Sequence, residues 1–332
     1  MRIALAGLGN VGAAVLRLLR GNADLLASRA GQTITVAAVS ARDKSKIRAC
    51  DLSGIEWVDN TLELAARKDV DVVVEAIGGA SGVARDLAAA ALANGKHVVT
   101  ANKALIAAHG VELAVAAEQA GVRLSFEASV CGAVPVMKTL REGLAANRVS
   151  SLRGILNGTC NYILTRMEQG GIDFATALVE AQQRGYAEAD PSDDIDGVDT
   201  ANKLAILTAV AFGRAPDLSA IFVEGIRTIT QADLKDAASR GGRIKLLGIA
   251  ERTESGIVQR VQPVFVPLSE QLANVGGVMN ALEITGDFAG KTLIQGQGAG
   301  DPTASAIVAD LVDIARGNRF YAFGVAAKKL GA

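Results

Sequence analysis

The first twelve residues limit the possible folds of this chain more than any other segment. A short apolar run, residues 2–6, leads into GLGNVG at residues 7–12 and then into AAVLRLLRG, which has helical spacing. A strand, a tight glycine turn and a helix in this order are typical of a dinucleotide-binding βαβ unit. Gly7 would permit the turn, Gly9 would let the backbone approach a pyrophosphate, and Gly12 would let the helix pack on the strand. The N–H groups of Asn10 and Val11 would then face the phosphates. The alternative is a glycine turn with a structural role only.

The end of the second predicted strand, residues 33–39, bears on the choice of cofactor. An acidic residue at this point would bind the ribose 2′-hydroxyl of NAD. The chain instead has Ser40 and Arg42, which favour a 2′-phosphate and therefore NADP. Asp43 follows closely enough to leave NAD open, and Arg42 and Lys44 are also compatible with ordinary solvated charges.

Two further predicted strands end at the same edge of the sheet. Residues 70–77 form a β-branched run that ends at Ile77 before Gly78 and Gly79, and residues 96–100 end at Thr100 shortly before Lys103. The carboxyl ends of parallel strands border the cofactor crevice, so we expect these five residues to contact the cofactor. Lys103 is also a candidate for orienting substrate or transferring protons, although a surface lysine would fit the local pattern equally well.

Glu127 ends the next predicted strand, residues 122–127, and is followed by the small-residue loop ASVCGAVP. A carboxylate beside free backbone carbonyls is a conceivable site for a hard cation. Glu127 could equally cap a helix or pair with an arginine.

The stretch GYAEADPSDDIDGVDTANK, residues 185–203, combines six carboxylates and one lysine and runs into the apolar segment LAILTAVAF. The apolar segment predicts a buried helix. If that helix begins near Asp199, its side chain and that of Lys203 lie on one face and can interact. Such a lysine is a candidate general acid or base. The alternative is a solvated acidic loop with one surface ion pair.

Length, charge and cysteine content exclude several classes of protein. The chain has 332 residues, of which 50% are hydrophobic and 4% aromatic, and this predicts two domains. Its 34 basic and 35 acidic residues form no basic patch, so we expect neither nucleic acid nor membrane as a partner. There is no signal-peptide pattern and no apolar run of about 20 residues, so we expect a cytoplasmic protein. Three widely spaced cysteines, Cys50, Cys131 and Cys160, fit neither a disulfide framework nor a CxxC metal site.

With these residues identified, the chain resembles the homoserine dehydrogenases from Met1 to about Arg316. Supporting stretches are GLGNVG, EAIGG, TANK, EASVCGAVP, NGTCNYIL and GQGAGDPTASAIVADL. The family signature is matched by Ala181, Gly185, Tyr186, Asp190, Pro191, Asp194, Ile195, Gly197, Asp199 and Lys203. The resemblance implies interconversion of L-homoserine and L-aspartate 4-semialdehyde with NAD(P), in threonine and methionine biosynthesis.

The resemblance also implies roles for individual residues. Lys203 would exchange a proton with the substrate oxygen, Asp199 would position it, and Lys103 would lie between cofactor and substrate. We expect Lys203 to face the nicotinamide across a cleft. The substrate-binding residues would be Glu188, Asp194, Thr159, Tyr186 and Gly158.

A sodium ion and a cofactor contact near the carboxyl end are implied as well. The ion would be bound by the Glu127 carboxylate and the backbone oxygens of Val130, Gly132 and Val134. Gly300 would contact the cofactor, although Asp301 and Pro302 interrupt its loop. A homodimer is implied, and no regulatory ACT domain is expected.

The predicted fold class is α/β, with a Rossmann-type doubly wound parallel sheet and a second α+β domain. The first domain covers 1–135 and is completed by about 299–332, and the second, for substrate binding, catalysis and dimerisation, covers 136–298. Two other functions stay open. One is a related NADP-dependent oxidoreductase for another small amino or hydroxy acid, and the other is a nucleotide-binding sensor without turnover.

Overall fold

The structure is a computed structural model and describes residues 1–331. Its strands are β1 (Arg2–Ala6), β2 (Thr35–Ser40), β3 (Glu56–Trp57), β4 (Val72–Glu75), β5 (His97–Thr100), β6 (Leu124–Ser125), β7 (Val149–Ile155), β8 (Ile221–Val223), β9 (Gly242–Thr253), β10 (Gly256–Pro267), β11 (Met279–Gly286) and β12 (Gly290–Gln297). Its α-helices are α1 (Asn10–Gly21), α2 (Ala23–Ala30), α3 (Glu63–Ala66), α4 (Val83–Ala93), α5 (Lys103–Ala120), α6 (Val136–Lys138), α7 (Gly158–Gly170), α8 (Phe174–Gln183), α9 (Ser192–Ile195), α10 (Val198–Phe212), α11 (Gln231–Ser239) and α12 (Asp301–Ala315).

The chain divides into two compact units. The first contains residues 1–142, 209–216 and the part from 299 onward, and the second contains residues 143–208 and 217–298. Residues 209–216, which include the last turn of α10, lie outside the first domain predicted from the sequence. The predicted functional limits at 135 and 298 stay a prediction.

The first unit is built on a parallel six-stranded sheet in the order β3-β2-β1-β4-β5-β6. Its central strands are buried on both faces, as their alanine, valine and leucine content requires. The chain order reverses between β1 and β4, which makes their carboxyl ends the expected ligand-binding edge. This architecture confirms the predicted Rossmann-type fold class.

The second unit contains a mixed six-stranded sheet in the order β12-β11-β7-β9-β10-β8. All pairs are antiparallel except β10 with β8. The helices α7, α8, α9 and α11 and residues 198–208 of α10 belong to this unit, and fully buried side chains such as Leu204 and Leu247 contribute to its interior. Its arrangement confirms the α+β class predicted for the second half.

Several elements differ from the expectations. The strand expected over 122–127 is only β6, and Glu127 begins a 3-10 turn (Glu127–Ser129). Helix α6 is short and is followed directly by a π-helical turn (Thr139–Gly143). Strand β12 is a polar, glycine-containing edge strand without the apolar pattern that predicts a strand, and its backbone hydrogen bonds to β11 hold it. No helix within residues 1–331 has the length and apolarity needed to cross a bilayer.

Candidate active site

The glycine turn between β1 and α1 is tightly packed at two positions and open at the third. Gly7 has φ +97°, and a Cβ there would lie 2.3 Å from the Ala76 carbonyl oxygen. A Cβ on Gly12 would lie 2.0 Å from the Gly7 carbonyl oxygen. A Cβ on Gly9 would have no heavy atom within 4 Å. Gly7 and Gly12 are therefore required by the fold itself, whereas Gly9 leaves room for an external group.

The helix that follows is suited to anion binding. The first two residues of helix α1 are Asn10 and Val11. The N-cap residue, Gly9, has no side chain to cap the helix, and the first turn contains no acidic residue. The N–H groups of this first turn therefore present the positive end of the helix dipole to a phosphate. The turn and the helix start fit the diphosphate of a dinucleotide.

The residues at the end of β2 form a basic edge. Ser40 is buried, and its Oγ lies 2.8 Å from the Thr61 Oγ1. Its carbonyl oxygen accepts a hydrogen bond from the Gly7 N–H at 2.8 Å, which ties β2 to the glycine turn. Arg42 is exposed beside it. The Ser40 hydroxyl thus already has a partner, while Arg42 is open to an incoming anion.

Arg48 was not predicted from the sequence, and it organises the loop beyond Arg42. Its Nε donates to the Leu8 carbonyl oxygen at 3.2 Å and its Nη1 to the Lys46 carbonyl oxygen at 2.7 Å, and its Nη2 donates to the Asp43 carbonyl oxygen. Its guanidinium also lies 5.3 Å from the centre of the Trp57 ring. Arg48 therefore fastens the basic loop to the glycine turn.

The loops after β4 and β5 lie at the same sheet edge. Gly78 and Gly79 have φ +94° and +86°, and a Cβ on either would meet no atom closer than 4.0 Å. Ile77 is exposed, Thr100 is fully buried, and Lys103 is the half-buried first residue of α5.

Glu127 acts as a helix cap, one of the alternatives that the sequence left open. It is buried, and its two carboxylate oxygens accept the N–H groups of Met137 and Lys138, both at 2.9 Å. Its own N–H donates to the Asp310 Oδ2 at 3.0 Å. Val130 and Val134 are buried in the loop between, and Gly132 has φ +54°.

The Glu127 and Asp310 carboxyls form a buried acidic pair. Burial, with the Asp310 charge adding to it, raises the pKa of Glu127 to about 7. Burial raises the pKa of Asp310 to about 6, and its Oδ1 has no hydrogen-bond partner among the described residues. Within residues 1–331 no cluster of three or more His, Cys, Asp or Glu side chains is suited to a metal. A pair of this kind, supplemented by carbonyl oxygens, suits a hard cation better than a transition metal.

Four side chains of the second unit form a connected cluster around Asn157. The Asn157 Oδ1 caps α7 by accepting the Cys160 N–H at 2.8 Å. Its Nδ2 donates to the Asp194 Oδ1 at 2.7 Å and to the Asp199 Oδ2 at 2.8 Å. The Lys203 Nζ lies 2.7 Å from the same Asp199 oxygen. Lys203 and Asp199 are i,i+4 neighbours on α10, so their interaction, proposed from the spacing, is present.

The lysine is fixed from a second side. Its Nζ also donates to the Leu156 carbonyl oxygen at 2.7 Å, directly after β7. The Lys203 side chain is 15% exposed and that of Asp199 is 8% exposed. Burial raises the pKa of Asp194, and the Asp199 charge adds to this, while the Asn157 hydrogen bond opposes it. A nearly dry, oriented lysine beside two carboxylates can deliver a proton to a bound oxygen as the ammonium and accept one as the amine.

The other predicted substrate residues differ in their contacts and exposure. The Thr159 Oγ1 donates to the Tyr186 carbonyl oxygen at 2.7 Å, beside the cluster. A Cβ on Gly158 would lie 2.6 Å from the Val278 carbonyl oxygen, so packing alone explains this glycine. Glu188 is exposed, and no described side chain pairs with its carboxylate. Among the described residues, no hydrogen bond or ion pair therefore joins the Glu188 carboxylate to the cluster.

Two of the residues described above, Asn157 and Asp310, have no role predicted from the sequence. Asn157 contacts partners 37 and 42 residues away, which no local pattern reveals. Asp310 lies 183 residues from Glu127 along the chain.

Gly300, a predicted cofactor contact, has φ +80° and is the N-cap of α12, so backbone conformation accounts for it without a ligand.

A glycine turn for a diphosphate and a lysine–carboxylate pair for proton transfer define the class: the chain is an oxidoreductase that uses a nicotinamide dinucleotide. Residues 7–127 match the family description "Homoserine dehydrogenase, NAD binding domain", and residues 135–312 match "Homoserine dehydrogenase". The homoserine dehydrogenase of Neisseria gonorrhoeae is 49% identical over 95% of this chain and 72% of its own length. The chain belongs to the homoserine dehydrogenase family.

Solved structures agree with this assignment. A homoserine dehydrogenase from Thiobacillus denitrificans is 45% identical, with a TM-score of 0.95, covering 100% of this chain and 78% of its own. A hyperthermophilic archaeal homoserine dehydrogenase in complex with NADPH is 25% identical, with a TM-score of 0.80, covering 94% of this chain and 96% of its own.

Proposed function

We propose that the chain interconverts L-homoserine and L-aspartate 4-semialdehyde, with Lys203 as the general acid and base. The observation that carries this proposal is the Lys203 ammonium held 2.7 Å from both the Asp199 carboxylate and the Leu156 carbonyl oxygen. In the reducing direction Lys203 donates a proton to the aldehyde oxygen, and in the oxidising direction it accepts the hydroxyl proton. Asp199 orients it throughout. The bound nicotinamide accepts or supplies the hydride.

Charge complementarity supports the substrate assignment. Asp194, Asp199 and Lys203 together carry a net charge of −1 when ionised, and the exposed Glu188 adds another negative charge. An amino-acid substrate brings an ammonium group, which we assign to Asp194 and Glu188. The Thr159 hydroxyl, Tyr186 and the backbone at Gly158 are assigned to its remaining polar groups, and Lys103 to the cofactor side of the substrate. Holding both ends of a small molecule orients its reactive carbon.

Substitution of Lys203 tests the catalytic role. Lys203→Met should lower kcat for homoserine oxidation at least about 100-fold, the usual contribution of a general acid or base. NADPH affinity should not change. Lys235→Met, on an exposed face of α11, is the matched control and should keep full activity. A kcat within a few fold of wild type would remove the assignment, and turnover of another amino alcohol but not homoserine would favour a related oxidoreductase.

For the cofactor we propose a preference for NADP over NAD. The exposed Arg42 and the basic loop held by Arg48 supply positive charge next to the end of β2, where a 2′-phosphate would lie. Arg42→Ala should raise KM for NADP about tenfold or more and leave KM for NAD nearly unchanged. Equal changes for both cofactors would rule out this role.

We also propose that Glu127, with the backbone oxygens of Val130, Gly132 and Val134, binds Na⁺. Each Glu127 oxygen keeps a lone pair beyond its N–H bond, and a cation would offset the buried Glu127–Asp310 pair. Replacing Na⁺ by tetramethylammonium at pH 8 should lower Tm of the wild type and not that of Glu127→Gln. An identical Tm in both salts would exclude the site.

The remaining proposals follow from family membership: the chain forms a homodimer through its second unit and works in the cytoplasm. Light scattering on the purified protein should give twice the chain mass, and a monomer that is fully active would refute the dimer. Fractionation of cells that express the untagged chain tests its location.

A further inference from the structure

A buried carboxylate at the end of β4 holds the loop that follows it. Glu75 is fully buried, and its Oε1 accepts the N–H groups of Ile77 at 2.7 Å and Gly78 at 3.0 Å. Its Oε2 accepts the hydroxyl proton of Thr100 at the end of the neighbouring β5. The carboxylate therefore links the ends of two parallel strands.

The link continues through Asn102 and returns to the same loop. The Thr100 Oγ1 accepts the Asn102 N–H at 2.9 Å, and the Asn102 Nδ2 donates to the Gly79 carbonyl oxygen at 2.7 Å. The Asn102 Oδ1 accepts the Leu105 N–H at 3.1 Å and so caps α5, which begins at Lys103. One chain of hydrogen bonds thus fixes both the 77–79 loop and the first turn of α5.

The loop would be mobile without this clamp. Gly78 and Gly79 are exposed and have positive φ, and a Cβ on either would meet no described atom closer than 4.0 Å. The backbone of the loop is instead held by hydrogen bonds. The N–H groups of Ile77 and Gly78 donate to Glu75, and the Gly79 carbonyl accepts from Asn102. Fixing a loop before the ligand arrives removes the ordering cost from binding.

The position of the loop indicates which half of the cofactor it serves. The glycine turn takes the diphosphate, and the end of β2 lies on the adenosine side of the sheet. The Ala76 carbonyl lies against Gly7, so the 77–79 loop borders the turn on the opposite side, at the ends of β4 and β5. This is the side left for the nicotinamide half.

We propose that Glu75 is a positioning residue that, through Thr100 and Asn102, holds the 77–79 loop and the start of α5 in the form that binds the nicotinamide half of the cofactor. This role rests on the proposed function, because it requires a nicotinamide dinucleotide at this sheet edge. It involves no proton transfer by Glu75, which acts only through the groups it holds.

Calorimetric titration with two ligands tests this proposal without any turnover. NADPH contains the nicotinamide, and 2′-phospho-ADP-ribose has the same adenosine and diphosphate but lacks it. Glu75→Gln and Thr100→Val should each weaken NADPH binding about tenfold, or about 1.4 kcal/mol, and leave the affinity for 2′-phospho-ADP-ribose within about twofold of wild type. The double variant should lose little more than either single one, since both break one chain of hydrogen bonds.

The controls separate this role from general destabilisation. Glu112→Gln, at an exposed ion pair with Arg85, should bind both ligands like the wild type. Equal weakening of both ligands, or no change in either, would overturn the proposal. If Glu75→Gln does not fold, Thr100→Val still tests it, because it replaces one hydroxyl by a methyl group of similar size. Failure of the wild type to oxidise homoserine would refute the proposed function. The role of Glu75 would still be tested by comparing the binding of the two ligands, because that measurement needs no turnover.

Discussion

Replacing Asn157 by aspartate tests the charge balance of the candidate site with an almost isosteric change. The wild-type Oδ1 caps α7, while Nδ2 donates to Asp194 at 2.7 Å and Asp199 at 2.8 Å. An aspartate keeps the capping oxygen but replaces the amide donor with a second oxygen. Two attractive interactions would become repulsive ones as soon as the new carboxyl ionised.

The size of the effect follows from the two hydrogen bonds that the amide donates. A hydrogen bond to a charged group contributes about 1.5–3 kcal/mol, so removing both costs about 3–6 kcal/mol. Protonation of the introduced carboxyl restores a donor and limits this cost. Its folded pKa is raised above the unfolded value of about 3.9, so the stability that the protonated form contributes is complete below pH 3.9 and is lost as pH rises toward the folded pKa. Protonation restores only one of the two donors, so about 1.5 kcal/mol or more is lost even at low pH. With linkage added, we expect a penalty of about 3 kcal/mol at pH 5 and up to about 6 kcal/mol at pH 7.

Differential scanning calorimetry of wild type and Asn157→Asp at pH 5 and pH 7 measures this difference. For a domain of the size of the second unit, each kcal/mol of this penalty corresponds to a fall in Tm of roughly 2–4 °C. Asn60→Asp, at an exposed turn where the side chain only accepts the Leu62 N–H, is the control and should stay within about 0.5 kcal/mol of wild type. A penalty at pH 7 no larger than at pH 5 would show that Asn157 does not separate the two carboxylates.

Three further predictions concern other parts of the chain. Gly12→Ala should prevent folding of the first unit, because the new carbon would lie 2.0 Å from the Gly7 carbonyl oxygen. Gly9→Ala should fold with unchanged Tm but lose affinity for NADPH in a binding titration. Burial lowers the pKa of Lys245 to about 8, so the unfolded chain binds more protons than the folded chain between pH 8 and about pH 10.4. The stability of the wild type relative to Lys245→Met should therefore rise between pH 8 and 10 by up to about 1.4 kcal/mol per pH unit. A difference in urea unfolding that does not change with pH would contradict this. Arg48→Lys should make the 43–48 loop more sensitive to limited proteolysis, because an ammonium cannot replace a planar guanidinium bonded to three carbonyls, and an unchanged cleavage rate would remove that role.

The features that can be predicted from the sequence are those fixed by neighbouring residues. The glycine turn is encoded within six positions, and the Asp199–Lys203 pair follows from one helical turn. Glu75 also has a local signal, because a carboxylate inside the buried run VDVVVEAI must have hydrogen-bond partners. That signal marks Glu75 as unusual but does not reveal that its partner is Thr100.

The features that could not be predicted depend on contacts between distant segments. Asn157 meets the acidic stretch only because β7 ends next to the start of α10, and Glu127 meets Asp310 only because α12 joins the first unit. The acidic stretch itself shows the limit of composition as a guide. Of its six carboxylates, Asp194 and Asp199 enter the cluster, Asp196 pairs with Arg227, and Glu188 remains exposed.

Asparagine at a strand-to-helix junction has the same double function in both units. Asn102 and Asn157 each accept the N–H of the third residue beyond with Oδ1, which caps the helix, and each donates with Nδ2 to a group of another segment. Serine and aspartate cap helices about as well, but neither carries an amide donor alongside the capping oxygen. Substitution by either residue should therefore keep the helices and release the Gly79 carbonyl in the first unit and the two carboxylates in the second. Capping preference alone thus does not account for asparagine at these two positions, whereas the need for a second, donating group does.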